Sequence, residues 1–168
     1  MLAPSLGKEA VVRDATRAQE ILGEILRRMG IAASIEVRDE PERTILDVKG
    51  PESGLVIGKK GQTLEALQYL LARMLLKGVV VEEQTGSKPV IIDSEGYRAR
   101  REEALVELAH RLGEKAIRTR KTITVNPMSP HDRRIIHITL GKVPGLTTRS
   151  EGEGIFRRLL IIPQLDKE

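Results

Sequence analysis

Cysteine is absent from the 168 residues, and so is tryptophan. The first absence excludes disulfides, thiolate nucleophiles and thiolate zinc sites together, and it suits a reducing compartment, so the expected location is cytoplasmic. Aromatic rings are nearly missing too: Tyr69, Tyr97 and Phe156 are all there is. A sheet that grips bases through a cluster of exposed rings is thereby excluded, and any hold on nucleic acid must rest on charge and base edges more than on stacking platforms. Long apolar runs are also missing. Val79 to Val81 and Leu159 to Ile162 are far too short to span a bilayer, so no membrane insertion is expected. The start, Met1 to Glu9, has no charged leader before an apolar core and is expected to carry no secretory signal.

Catalytic patterns are missing as well. His110, His131 and His137 do not lie at metal-ligand spacing on one helix, so neither a metal nor another cofactor is expected. There is no Gly-x-Ser-x-Gly elbow. Gly58-Lys59-Lys60-Gly61 lacks the spacer and following Gly-Lys-Ser/Thr of a P-loop. His131 and His137 are six apart and do not share a helix face, which argues against an acid–base pair for RNA cleavage. No catalytic residue is assigned, and the chain is expected not to be an enzyme.

What is present is charge, unevenly spread. The net charge is +4. Residues 1–93 hold 13 Lys/Arg against 14 Asp/Glu, whereas residues 94–168 hold 15 against 10. A basic second half beside a neutral first half fits a polyanionic partner for the former, though an ordinary solvated surface has the same composition.

Periodicity divides the chain into an α+β order. Residues 1–13 read as a flexible lead-in. Ala18, Ile21, Leu22, Ile25 and Met29 recur at helical spacing over Asp14 to Met29, and Gly30 stops the pattern. Ile31 to Arg38 and Arg43 to Lys49 alternate as two strands around Asp39-Glu40-Pro41-Glu42. A short helix from Ser53, capped by that serine, delivers the chain into Gly58. Leu64, Leu67, Leu71 and Met74 then mark a helix that Gly78 ends. Val79 to Val81, a bend, and Val90 to Ile92 supply extended chain, closing a first domain over 14–93. The second domain, 94–168, opens on a helix over Glu95 to Arg120 with Tyr97, Ala104, Leu105, Leu108, Leu112 and Ala116 as its buried stripe. A strand follows at Thr122 to Val125. Ser129 then caps a helix that has Pro130 at its first position and runs to Leu140. Val143 to Thr148 and Ile155 to Ile162 read as strands joined by residues 149–154.

Two constellations could bind a polyanion. In Val56-Ile57-Gly58-Lys59-Lys60-Gly61-Gln62-Thr63-Leu64, two glycines bracket two cations ahead of a helix. The glycines allow close backbone approach, while the helical amides and both lysines favour a phosphate. Taken alone, such a turn is equally a solvated connection. Arg133 and His137 lie four apart and so share a helix face, a pairing that suits phosphate. A surface arginine beside a packing histidine has the same spacing.

Together these segments resemble the bacterial Jag (SpoIIIJ-associated) family. Leu55 to Leu70 is similar to its KH domain. Asn126-Pro127-Met128 through Arg133-Arg134-Ile135-Ile136-His137, then Thr147 to Glu153, is similar to its R-3-H domain. The resemblance covers about Asp14 to Pro163. It implies a prokaryotic-type (type II) KH domain followed by a small α+β R-3-H domain. It further implies a cytoplasmic binder of RNA or single-stranded DNA, acting as a post-transcriptional regulator linked to cell envelope growth. Ile57, Gly58, Lys59, Lys60, Gly61 and Gln62 would clamp the backbone, with Arg133, Arg134, His137 and Arg149 as the second grip. The alternative is a scaffold whose KH surface forms a homodimer or recruits a separate single-KH protein.

Two departures stand out. Longer Jag proteins have an extra N-terminal domain, which is expected to be missing here. Where the family usually has Pro before basic residues, this chain has Gly154-Ile155-Phe156-Arg157-Arg158, so the local turn is expected to differ. Changing Gly58 and Gly61 to Asp is expected to abolish binding and leave the fold intact.

Overall fold

A computed structural model describes residues 6–76 and 88–164, with side-chain detail from residue 15. The chain divides into two compact units, Met1–Tyr97 and Arg98–Glu168. The architecture is α+β in both.

In the first unit, helix α1 (Leu6–Arg28) precedes strands β1 (Ser34–Asp39) and β2 (Thr44–Lys49), the short helix α2 (Ser53–Ile57), helix α3 (Gln62–Leu76) and strand β3 (Val90–Asp93). The helix was expected to begin at Asp14; it begins at Leu6, because Lys8, Glu9 and Ala10 continue a helix without an apolar stripe to announce it. The sheet order is β1-β2-β3, with β1 and β2 antiparallel and β2 and β3 parallel. Central β2 is buried from Thr44 to Val48, as a strand flanked on both edges and covered by helices must be. Ala18, Leu22 and Leu26 of α1 and Leu64, Leu67 and Leu71 of α3 pack onto it in one core. Met29 and Met74 leave the expected stripes and are exposed. Gln68 ties α3 to the edge strand: its amide donates to the Val90 carbonyl (2.8 Å) and accepts from the Ile92 amide (2.7 Å). The side chain thus bonds backbone groups along the edge of the sheet. The extended reading of Val79 to Val81 and the Gly78 stop lie outside the described residues.

Helix α4 (Tyr97–Thr119), strand β4 (Ile123–Val125), helix α5 (Pro130–Leu140) and strands β5 (Leu146–Glu151) and β6 (Arg158–Pro163) complete the chain. The second sheet is antiparallel, in the order β4-β6-β5. Leu105, Ala109 and Ala116 of α4 pack against Ile136 and Leu140 of α5 and against Leu146, Leu159 and Ile161 of the sheet. The expected stripe fails at Ala104 and Tyr97. Ala104 is exposed, Ala109 and Gly113 are buried instead, and Tyr97 packs against the core of the first unit. Small residues fill this line because the neighbours come close: a Cβ on Gly113 would stand 2.8 Å from Leu140 Cδ2.

The strands of the final hairpin also shift. The expected Val143 start fails at Pro144-Gly145, where Gly145 turns at φ +77°, so β5 starts at Leu146 and runs through Arg149, Ser150 and Glu151, residues read as a loop. Ile155 and Phe156 are not in a strand but in one turn of 3-10 helix, Gly154–Phe156.

Helix α5 starts as its sequence dictates. Ser129 Oγ accepts from the Asp132 amide, and Pro130 occupies the first turn. The Ser53 cap of α2 is not formed: Glu52 holds the N-cap position and makes no side-chain cap bond there. Ser129→Ala should therefore cost about 1 kcal/mol in urea unfolding, and Ser53→Ala should cost nothing through capping.

Candidate nucleic-acid interface

Buried Val56 anchors α2 in the first core and sets where the next residues emerge. The Gly58 amide closes the helix onto the Gly54 carbonyl at 2.9 Å. Gly58 then adopts φ +68°, Lys60 φ +55° and Gly61 φ +83°. Both glycines are required twice over, by backbone angle and by contact. A Cβ on Gly58 would lie 2.1 Å from Thr63 Oγ1, and one on Gly61 would lie 2.9 Å from the Tyr97 ring. The expectation that aspartates could replace them with the fold intact is thus corrected.

Lys59 and Lys60 are exposed on this frame, as is Gln62; Gly61 is buried and Ile57 half-buried. Lys60 is the informative one. A left-handed conformation costs a lysine roughly 1–2 kcal/mol, and glycine would adopt it at no steric cost. A charged residue held there, directly before the amides of α3, meets what an anion site needs.

In the second unit, α5 lies along β5 and places Arg133 and His137 over one face of that strand. Arg133 Nη1 donates to Ser150 Oγ at 2.5 Å, and His137 Nδ1 stands 2.5 Å from Thr148 Oγ1. Ser150 Oγ also accepts from Arg157 Nε at 2.8 Å. One hydroxyl thus draws two guanidinium groups together beside an exposed histidine. Behind them, Arg101 of α4 donates to Asp132 at 2.6 Å, the carboxylate being 3% exposed as a residue. Arg101 Nε and Arg133 Nε are buried and make no hydrogen bond among the described residues.

Comparison with known proteins finds a matching domain in each unit. Residues 16–87 match the KhpA/KhpB KH domain, and residues 103–163 match the R-3-H domain. The chain is 38% identical over 147 residues to RNA-binding protein KhpB of Clostridium symbiosum, covering 86% of this chain and 64% of that one. To RNA-binding protein KhpB of Bacillus subtilis it is 34% identical over 132 residues, covering 77% and 61%. The chain belongs to the KhpB, or Jag, family. It spans a little over three-fifths of the length of these two relatives.

Within this pair of KH and R-3-H domains, the structure brings together only some of the residues singled out from the sequence. Ile57 to Gln62 are contiguous: Ile57 ends α2, Gly58 to Gly61 make the turn, and Gln62 begins α3. Arg133 and His137 share a face, as their spacing requires. Arg134 is exposed on another side of α5, the side of His131 and Ile138. Arg149 sits between Thr148 and Ser150 on β5, so strand alternation turns it to the opposite face from Arg133 and His137. Arg157, not Arg149, joins the pair of Arg133 and His137. The Ser150 hydroxyl shared by Arg133 and Arg157 makes that assignment.

Proposed function

We propose that this chain binds single-stranded RNA through two grips, the KH loop at Ile57–Gln62 and the R-3-H cluster of Arg133, His137 and Arg157. The observation that supports this best is Lys60. A lysine kept in a left-handed conformation between two left-handed glycines is explained by a ligand for its charge better than by stability. The names of the relatives favour RNA as that ligand; DNA of one strand presents the same phosphates. The reaction class is binding, with no step of catalysis. Among the described residues no helix is long and apolar enough to cross a membrane, and no group of three or more His/Cys/Asp/Glu could hold a metal ion. A cytoplasmic place and a role in post-transcriptional control of envelope growth rest on the family resemblance.

Arg133→Ala combined with His137→Ala tests the R-3-H grip separately from the KH loop. The expected result is a loss of about ten-fold or more in affinity for a single-stranded RNA, since hydrogen bonds to charged groups contribute about 1.5–3 kcal/mol. Equal affinity in fluorescence anisotropy would remove the R-3-H cluster from the reading.

A second reading has its own observation. Tyr69, Leu70, Met74 and Leu76 are exposed on α3 while Leu64, Leu67 and Leu71 face inward. Such a face suits a protein contact, a homodimer or a separate single-KH partner. Light scattering with and without RNA distinguishes the two: a dimer without RNA affinity supports the scaffold.

A further inference from the structure

Phe156 is 75% exposed and Ile155 81%, the highest values among the exposed large apolar residues described. They occur where the sequence departs from the pattern it otherwise resembles. The turn that holds them is tight. The Phe156 amide bonds to the Glu153 carbonyl at 3.1 Å and the Arg157 amide to that of Gly154 at 3.3 Å. Gly152, at φ +95°, packs so closely that a Cβ would stand 3.2 Å from the Phe156 carbonyl. The ring is therefore presented by a fixed backbone. It borders a groove of about 420 Å³, with Asn126 and Pro127 on one side and Glu151 and Arg158 beside it.

The lining is mixed in a particular way. Asn126 offers an amide with donors and an acceptor, Glu151 only acceptors and Arg158 only donors. Glu151 and Arg158 pair loosely, at 3.8 Å, in a register that places them opposite each other. Strand alternation sets Glu151, and Arg158 opposite it, on the sheet face away from Ser150 and its arginine partners, so the cation on this side is Arg158 itself. A flat apolar ring with hydrogen-bonding groups around it and one arginine, Arg158, in the lining matches one nucleotide. The ring takes the base face, Asn126 and Glu151 its edge, and Arg158 the phosphate.

We propose that the groove at Phe156 holds one unpaired nucleobase of the bound strand, stacked on the ring. This rests on the single-strand binding proposed above and adds a base-contacting subsite to it. The subsite also accounts for an aromatic ring standing in solvent in a chain that has only three.

The test uses the whole chain and a single-stranded RNA decamer carrying 2-aminopurine at one position, moved along the strand from oligonucleotide to oligonucleotide. Binding should change the probe's emission most at one position, and Phe156→Ala should remove that change. Affinity should fall about ten-fold, in the range expected for one base stacked on an aromatic side chain. Phe156→Trp should bind at least as tightly as the parent and Phe156→Leu as weakly as Phe156→Ala. An abasic nucleotide at the responsive position should weaken the parent and leave Phe156→Ala unaffected. If the parent binds RNA and Phe156→Ala binds every oligonucleotide equally well, the subsite is refuted and the two-grip reading stands. If Phe156→Ala leaves RNA binding intact but changes the mass in light scattering, the ring is a protein contact and the proposal falls. Failure of the parent to bind any single strand overturns both.

Discussion

Replacing Lys59 and Lys60 together by aspartate should lower affinity for single-stranded RNA at least a hundred-fold near 0.1 M salt. The change removes two cations and sets two anions on the loop that meets the phosphates. For single strands each neutralised phosphate contributes about 0.7 to the slope of log affinity against log salt. Losing two such contacts should thus flatten the slope by about 1.4. The fold should not suffer. Both side chains are exposed, and at φ +55° position 60 suits aspartate better than lysine. Aspartates at Gly58 and Gly61 would be a poor substitute for this variant. The clashes with Thr63 and Tyr97 would disturb the loop, so lost binding would not report on charge. Urea midpoints within experimental error of the parent, alongside the collapsed affinity, are the expected pair of results.

The largest effect on stability should come from Asp132→Ala, at about 2–3 kcal/mol in denaturant unfolding of the R-3-H unit. Breaking a buried ion pair from one side costs about 3–5 kcal/mol, because the remaining charge stays desolvated. The lower figure applies because the Arg101 side chain is 24% exposed, against 5% for Asp132, and water relieves part of the penalty. Arg101 Nε, already buried without a partner among the described residues, leaves the guanidinium little to fall back on. Replacing both residues, Arg101→Met with Asp132→Leu, should recover most of the loss. If the single variant were as stable as the parent, the pair would contribute nothing beyond its surface.

Much of this was legible in the sequence, for reasons that differ by element. Leu64, Leu67 and Leu71 announce the inner face of α3 because a helix buried on one side needs that spacing. Ser129-Pro130 announces the start of α5 because a hydroxyl cap and a residue lacking an amide each suit one position. The glycines of the KH loop are legible because only glycine tolerates both the angle and the contact found there. Helix α4 was less so: Ala104 and Ala109 are the same residue type, and which is buried depends on how closely α5 and β5 approach. The shift of β5 by three residues had the largest consequence for the site. It turned Arg149 away from Arg133 and His137 and brought Ser150 and Arg157 in, through pairing with the next strand, β6, in a register that periodicity alone does not mark. Lys60 gave no signal of its strain, since backbone angles leave no mark on composition.

The most direct test is a titration of one labelled single-stranded RNA, read by fluorescence anisotropy between about 50 and 200 mM salt, with the parent, Lys59→Asp/Lys60→Asp, Arg133→Ala/His137→Ala, and all four changes combined. Two grips on one strand predict that the parent binds most tightly with the steepest salt dependence, that each double variant is weaker and flatter, and that the combined variant shows no measurable binding. Equal affinity and equal salt slope across all four proteins would contradict it.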